Sequence, residues 1–155
     1  MPRVKVTAEP GAHDFTVECV ISAPRERVFQ AHIDPAAIPH WWGPRFLTTA
    51  VDQLEPRKGG LWRFIQRDPQ GNEYAFSGVF HECRSPERII RTWEFEAMPG
   101  HVLLETVTME DLPDGKTLLR SQSLFQSVAD RDGMLKAGAT EGGSQMFERL
   151  EEYLS

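Results

Sequence analysis

The feature that most constrains this chain is its punctuation. Five turn clusters, Arg57-Lys58-Gly59-Gly60, Asp68-Pro69-Gln70-Gly71-Asn72, Ser85-Pro86, Met98-Pro99-Gly100 and Leu112-Pro113-Asp114-Gly115, cut the middle of the sequence into six short segments. Those segments, near 46–54, 61–67, 74–83, 88–96, 102–110 and 117–125, have strand length and carry β-branched and aromatic residues. Connections this short force antiparallel neighbours, so the text reads as a β-meander. Upstream, Phe15, Val17, Cys19 and Ile21 alternate with Thr16, Glu18 and Val20, a period of two that predicts one more strand and seven in all.

Two short helices fall between the first two strands. Pro24 suits a first helical position, Glu26 puts an acid in the first turn, and Val28, Phe29, His32 and Ile33 supply an apolar stripe that Pro35 stops. A second, shorter helix fits before Gly43-Pro44. After the last strand, Asp130 and Asp132 open a helix of roughly twenty-five residues, with Met134, Gly138, Gly142, Met146, Leu150, Tyr153 and Leu154 along one side. The order strand, two helices, six strands, long helix predicts an α+β domain with its helices confined to one face of the sheet.

Short turns also predict register. Around Gln70, Phe64 falls opposite Phe76 and Trp62 opposite Gly78; around Ser85-Pro86, Gly78 faces Trp93 and Phe80 faces Arg91. Around Met98, Trp93 faces Leu103 and Arg91 faces Glu105; around Pro113, Glu105 faces Ser121 and Val107 faces Leu119. Side chains alternate faces, so one face collects Trp62, Phe64, Phe76, Phe80, Trp93, Leu103, Val107, Leu119 and Phe125. The other face takes Arg63, Ser77, His81, Glu94, Arg120 and Gln122. Arg91, Glu105 and Ser121 are the polar positions on the apolar face. A buried charge without a partner is costly, so Arg91 and Glu105 should pair with each other or meet a ligand or water.

Composition narrows the function. The 155 residues suit one domain over 1–155, with residues 1–12 a loose arm ending at Pro10-Gly11. With 17 basic and 23 acidic residues interspersed and a net charge of −6, the chain shows no basic stripe for phosphates, so neither nucleic acid nor an anionic membrane is an expected partner. No segment approaches the length of an apolar membrane span. Cys19 and Cys83 stand on separate strands and are expected as free thiols, which with the absence of an apolar leader suggests a cytoplasmic protein.

Catalytic signatures are sparse. The histidines 13, 32, 40, 81 and 101 are scattered, there is no His-Glu-x-x-His or Cys-x-x-Cys, and no Gly-x-Ser-x-Gly elbow. No catalytic set, metal site or cofactor is therefore assigned, and His32, His40 and His81 read as surface or cap residues. The adjacent Trp41 and Trp42 should point apart, one into the core and one toward a cavity mouth. Interior glycines are unfavourable in a helix by about 0.8–1.0 kcal/mol each. Gly138 and Gly142, flanked by Met134 and Met146, therefore admit two explanations: close helix-to-sheet packing, or space left for a ligand beside adaptable methionines.

The stretch Ala23-Pro24-Arg25-Glu26-Arg27-Val28-Phe29, then Asp34-Pro35 through Trp41-Trp42-Gly43-Pro44, resembles the opening of the Hsp-90 ATPase activator homologue-like family of the START/SRPBCC (birch-pollen-allergen-like) superfamily. Gly59-Gly60 with Trp62, Gly71 with the strand through Gly78 and Glu82, and Arg131-Asp132-Gly133 leading to Gly138 and Gly142 extend the likeness over about residues 14–154. The resemblance implies a helix-grip fold: a seven-stranded antiparallel sheet wrapped around a long C-terminal helix, with a cavity between them. Superfamily members bind lipids, sterols, polyketides and other apolar small molecules, and some catalyse cyclisation or hydrolysis; a fold alone does not choose among these.

Three readings follow. The first is a binding module for a small hydrophobic or amphipathic molecule, with Phe29, Trp42, Trp62, Phe64, Phe76, Phe80, Arg91, Trp93, Glu105, Val107, Ser121, Met134, Gly138, Gly142 and Met146 as the candidate cavity. The second is an enzyme acting on such a ligand by acid–base chemistry at Glu105, tuned by Arg91. The third is a protein-interaction module, a homodimer or a chaperone cofactor; a chaperone partner is not expected, since no docking surface is legible.

Overall fold

The alternation of Phe15, Val17, Cys19 and Ile21 becomes strand β2 (Asp14–Ile21), whose inward side chains are all buried. In the computed structural model, which describes residues 4–155, this strand joins β3 (Thr48–Leu54), β4 (Leu61–Arg67), β5 (Glu73–Arg84), β6 (Arg88–Phe95), β7 (Val102–Leu112) and β8 (Lys116–Phe125). An eighth strand, β1 (Lys5–Thr7), pairs with β2 and makes the sheet β1-β2-β8-β7-β6-β5-β4-β3, antiparallel throughout. The expected count of seven is thus one short, and residues 5–7 of the arm expected to be loose are paired; residues 1–3 of that arm lie outside the described residues. A three-residue edge strand is too short to show a period. Its connection to β2 is held by the buried Arg131, whose Nη1 donates to the carbonyls of Glu9 at 2.7 Å and Asp14 at 3.1 Å.

The register holds across β4–β5 and β6–β7: Phe64 faces Phe76, Trp62 faces Gly78, and Arg91 faces Glu105. Two corrections concern its detail. A bulge after Phe80 leaves His81 unpaired, so Phe80 faces Arg91 while Glu82 faces Ile90. Between β7 and β8, Glu105 faces Ser123 and Val107 faces Ser121, not Ser121 and Leu119. The turn there is a single 3₁₀ turn, Pro113–Gly115, with Leu112 opposite Lys116. Its centre is Asp114 rather than Pro113, and moving a hairpin's centre by one residue slides the register by two, which preserves the faces.

Helices α1 (Arg25–Ile33) and α2 (Ile38–Trp41) bury Val28, Phe29, Ile38 and Trp41 at one end of the inner face. The expected long C-terminal helix is two helices, α3 (Val128–Lys136) and α4 (Ala139–Leu154), separated at Gly138, whose φ is 90°. That left-handed value is the usual device for ending a helix and is accessible to glycine without a Cβ penalty. Ser127 caps α3 by accepting from the Asp130 N–H at 3.1 Å. Helix α4 packs against β2 and α2, burying Phe147, Leu150 and Leu154. No helix among the described residues is long and apolar enough to cross a membrane.

Candidate functional site

Between the inner face of the sheet and helices α3 and α4 lies a cavity of about 690 Å³. Of the residues expected to line it, Trp42, Phe76, Arg91, Trp93, Glu105, Val107, Ser121, Met134, Gly138, Gly142 and Met146 do so. Phe29, Trp62, Phe64 and Phe80 do not; they are packed into the core. Trp62 is covered by the Arg91 guanidinium, 4.5 Å from its ring centroid, and by Phe64 at 4.9 Å. Trp42 lies edge-on to Phe76, which shares the cavity wall, and to Trp62 and Phe64, which do not line it.

The polar floor comes from three adjacent strands, β6, β7 and β8. Arg91 Nε donates to Glu105 Oε1 at 2.8 Å, with the two side chains 6% and 17% exposed, and Ser121 Oγ donates to Glu105 Oε2 at 3.4 Å. Ser123, opposite Glu105, adds a second hydroxyl to the same face.

His32 corrects the sequence reading: it is buried, not a surface or cap residue, and it lines the cavity. Its ring packs on Trp41 at 4.7 Å, and Nδ1 lies 2.7 Å from the Val28 carbonyl. Burial pushes its pKa down to about 4, with Arg91 adding in the same direction against the opposing Val28 bond and Glu105 charge. The signal was present, because His32 stands on the stripe of Val28 and Phe29. Gln66 was missed in a similar way: it shares the face of Trp62 and Phe64, is buried, and donates to Thr49 Oγ1 at 3.4 Å.

The mouth is framed by the segment after Trp42 and by the α3–α4 junction. Trp41 and Trp42 are both buried and both line the cavity; Trp41 Nε1 donates to the Ala31 carbonyl at 3.1 Å. Phe46, 66% exposed, stands at the mouth. Gly43 has a φ of 97°, and a Cβ there would overlap Gln66 Nε2. The segment is tied to α4 by Arg149, which donates to the Gly43 carbonyl at 2.8 Å, and by a bidentate pair from Arg45 to Glu152 at 2.8 and 3.1 Å. Among the described residues, no cluster of three or more His, Cys, Asp or Glu side chains is placed to hold a metal ion.

An antiparallel sheet curved over C-terminal helices, with a cavity held between them, defines a helix-grip protein, a fold that binds ligands. The chain belongs to the family described as Activator of Hsp90 ATPase homolog 1-like protein, which matches residues 22–155. Among solved structures it is similar to protein Ms6760 from Mycobacterium smegmatis, with 21% identity over 99% of this chain and 98% of that one and a TM-score of 0.89. A protein from Arthrobacter aurescens shares 23% identity over 97% and 90% of the two chains, with a TM-score of 0.90. Protein CV1439 from Chromobacterium violaceum shares 26% identity over 92% and 96%, with a TM-score of 0.77. Comparison with curated proteins finds no match.

Proposed function

We propose that this protein binds a small hydrophobic or amphipathic molecule in the cavity between the sheet and helices α3 and α4. The observation that carries the reading is the cavity itself. Its volume of about 690 Å³ falls within the roughly 300–1,000 Å³ typical of small-molecule sites. Its walls combine rigid aromatics, Trp42, Phe76 and Trp93, with the flexible Met134 and Met146, over a few convergent polar groups. Arg91, Glu105 and Ser121 orient the ligand, and the bare backbones of Gly138 and Gly142 leave it room. The acid–base alternative needs Glu105 at the cavity, where it is, but both carboxylate oxygens already accept protein hydrogen bonds. That arrangement favours holding over proton exchange.

Native mass spectrometry of freshly purified protein, followed by thermal-shift titration with lipids and polycyclic aromatics, tests the proposal. A bound small molecule or a saturable rise in melting temperature is expected, and both should vanish in Gly142→Leu, which fills the cavity. Absence of any ligand or shift in the native protein overturns the reading.

A further inference from the structure

The cavity floor is electrically balanced, and that balance selects among ligands. Arg91 is compensated by Glu105 at 2.8 Å. His32 adds no charge at neutral pH, because burial disfavours its protonated form. Its tautomer is also determined: a carbonyl only accepts, so the hydrogen facing Val28 sits on Nδ1 and Nε2 carries a lone pair.

Among the described residues, no protein group bonds His32 Nε2, and none accepts from Arg91 Nη1 or Nη2, since only Nε is engaged. Among the described residues, the one side-chain polar atom both sealed from solvent and without a hydrogen bond is Arg25 Nε, which still lies 3.1 Å from Asp111 Oδ2. The free atoms of His32 and Arg91 therefore open onto the space their side chains line. Arg91 and His32 are themselves only 5% and 6% exposed. The floor thus offers a buried acceptor, a buried donor edge and no net charge, and the further carboxylate on the lining, Glu141, is exposed.

Resting on the cavity as a binding site, we propose that its ligand is an uncharged apolar molecule bearing a hydroxyl, phenolic or alcoholic, which donates to His32 Nε2 and accepts from Arg91. A hydrocarbon would cover the donor and the acceptor without satisfying either. A carboxylate would bring an anion beside an arginine already neutralised, burying net charge near Glu105. A hydroxyl supplies both a donor and an acceptor without adding charge.

The test is calorimetric titration at pH 7.5 with three probes of one shape: 2-naphthol, naphthalene and 2-naphthoate. The native protein should bind 2-naphthol at least tenfold tighter than either of the others. His32→Phe should erase the advantage over naphthalene. Glu105→Gln, nearly isosteric, leaves the Arg91 charge uncompensated and should improve 2-naphthoate binding at least tenfold. Equal binding of all three probes, or a Glu105→Gln protein that stays folded and still rejects 2-naphthoate, overturns the hydroxyl assignment alone. If no probe binds, the hydroxyl assignment falls; the small-molecule reading falls with it only if the lipids and aromatics of the thermal-shift titration also give no shift.

Discussion

Gly138 and Gly142 lie four residues apart on the cavity wall, and the same substitution at each should move stability in opposite directions. Gly142 is inside α4, its N–H donates to the Gly138 carbonyl at 2.9 Å, and a Cβ there would meet nothing within 4 Å. Gly142→Ala therefore gains helix propensity without a clash, about 0.8–1.0 kcal/mol. Gly138 also has open space around it, but its φ of 90° is left-handed. An L-residue held there loses roughly 1–2 kcal/mol. In one unbroken helix Gly138→Ala would gain as Gly142→Ala does; the break at Gly138 reverses its sign. For a chain of this size about 1 kcal/mol corresponds to roughly 2–4 °C. Calorimetric melting should place Gly142→Ala about 2–4 °C above wild type and Gly138→Ala about 2–8 °C below it. Because neither Cβ touches a neighbour, packing does not confound the comparison. A Gly138→Ala protein as stabilised as Gly142→Ala would show α3 and α4 to be one continuous helix and refute the reasoning.

Arg91→Met should lower stability by about 3 kcal/mol, leaving a mostly buried Glu105 carboxylate without its partner, while Arg91→Met with Glu105→Leu recovers most of the loss; a urea double-mutant cycle with no coupling would count against the pair. His32 has a folded pKa of about 4 against an ordinary 6.5, so between those values the unfolded chain binds a proton that the folded chain does not. Stability from this group should therefore be present above pH 6.5 and fall as pH drops toward 4, by at most about 3 kcal/mol; an imidazole NMR titration midpoint near 6.5 contradicts this. Burial, with Glu151 adding to it, pushes the Cys19 thiol up to about 12, so a disulfide reagent at pH 8 should modify the half-buried Cys83 first and Cys19 only on unfolding. Gly43→Ala combines a forbidden φ with overlap on Gln66 and should lose about 2 kcal/mol or more in a denaturant melt.

Period and turn chemistry by themselves determined which residues share the inner face and that Arg91 stands opposite Glu105. Both follow from local rules: side chains alternate strictly along a strand, and a short turn ties two strands into one register. The same rules limited the result. A hairpin centred on Asp114 instead of Pro113 moved Ser121 from opposite Glu105 to opposite Val107 without changing its face, so the polar trio stayed together. Composition put Gly138 within helical text, but whether a glycine continues a helix or ends it depends on where the next segment must go. Here α4 has to cross β2, and only the tertiary arrangement decides that. His32 shows the other limit. Its place on the apolar stripe was legible, yet its burial depends on α1 packing against β7, on a Trp41 ring nine residues later and on Arg91 from a distant strand. Sequence patterns specify faces because faces are local. They do not specify how much space is left between faces, because that space is set by contacts between residues far apart in the chain.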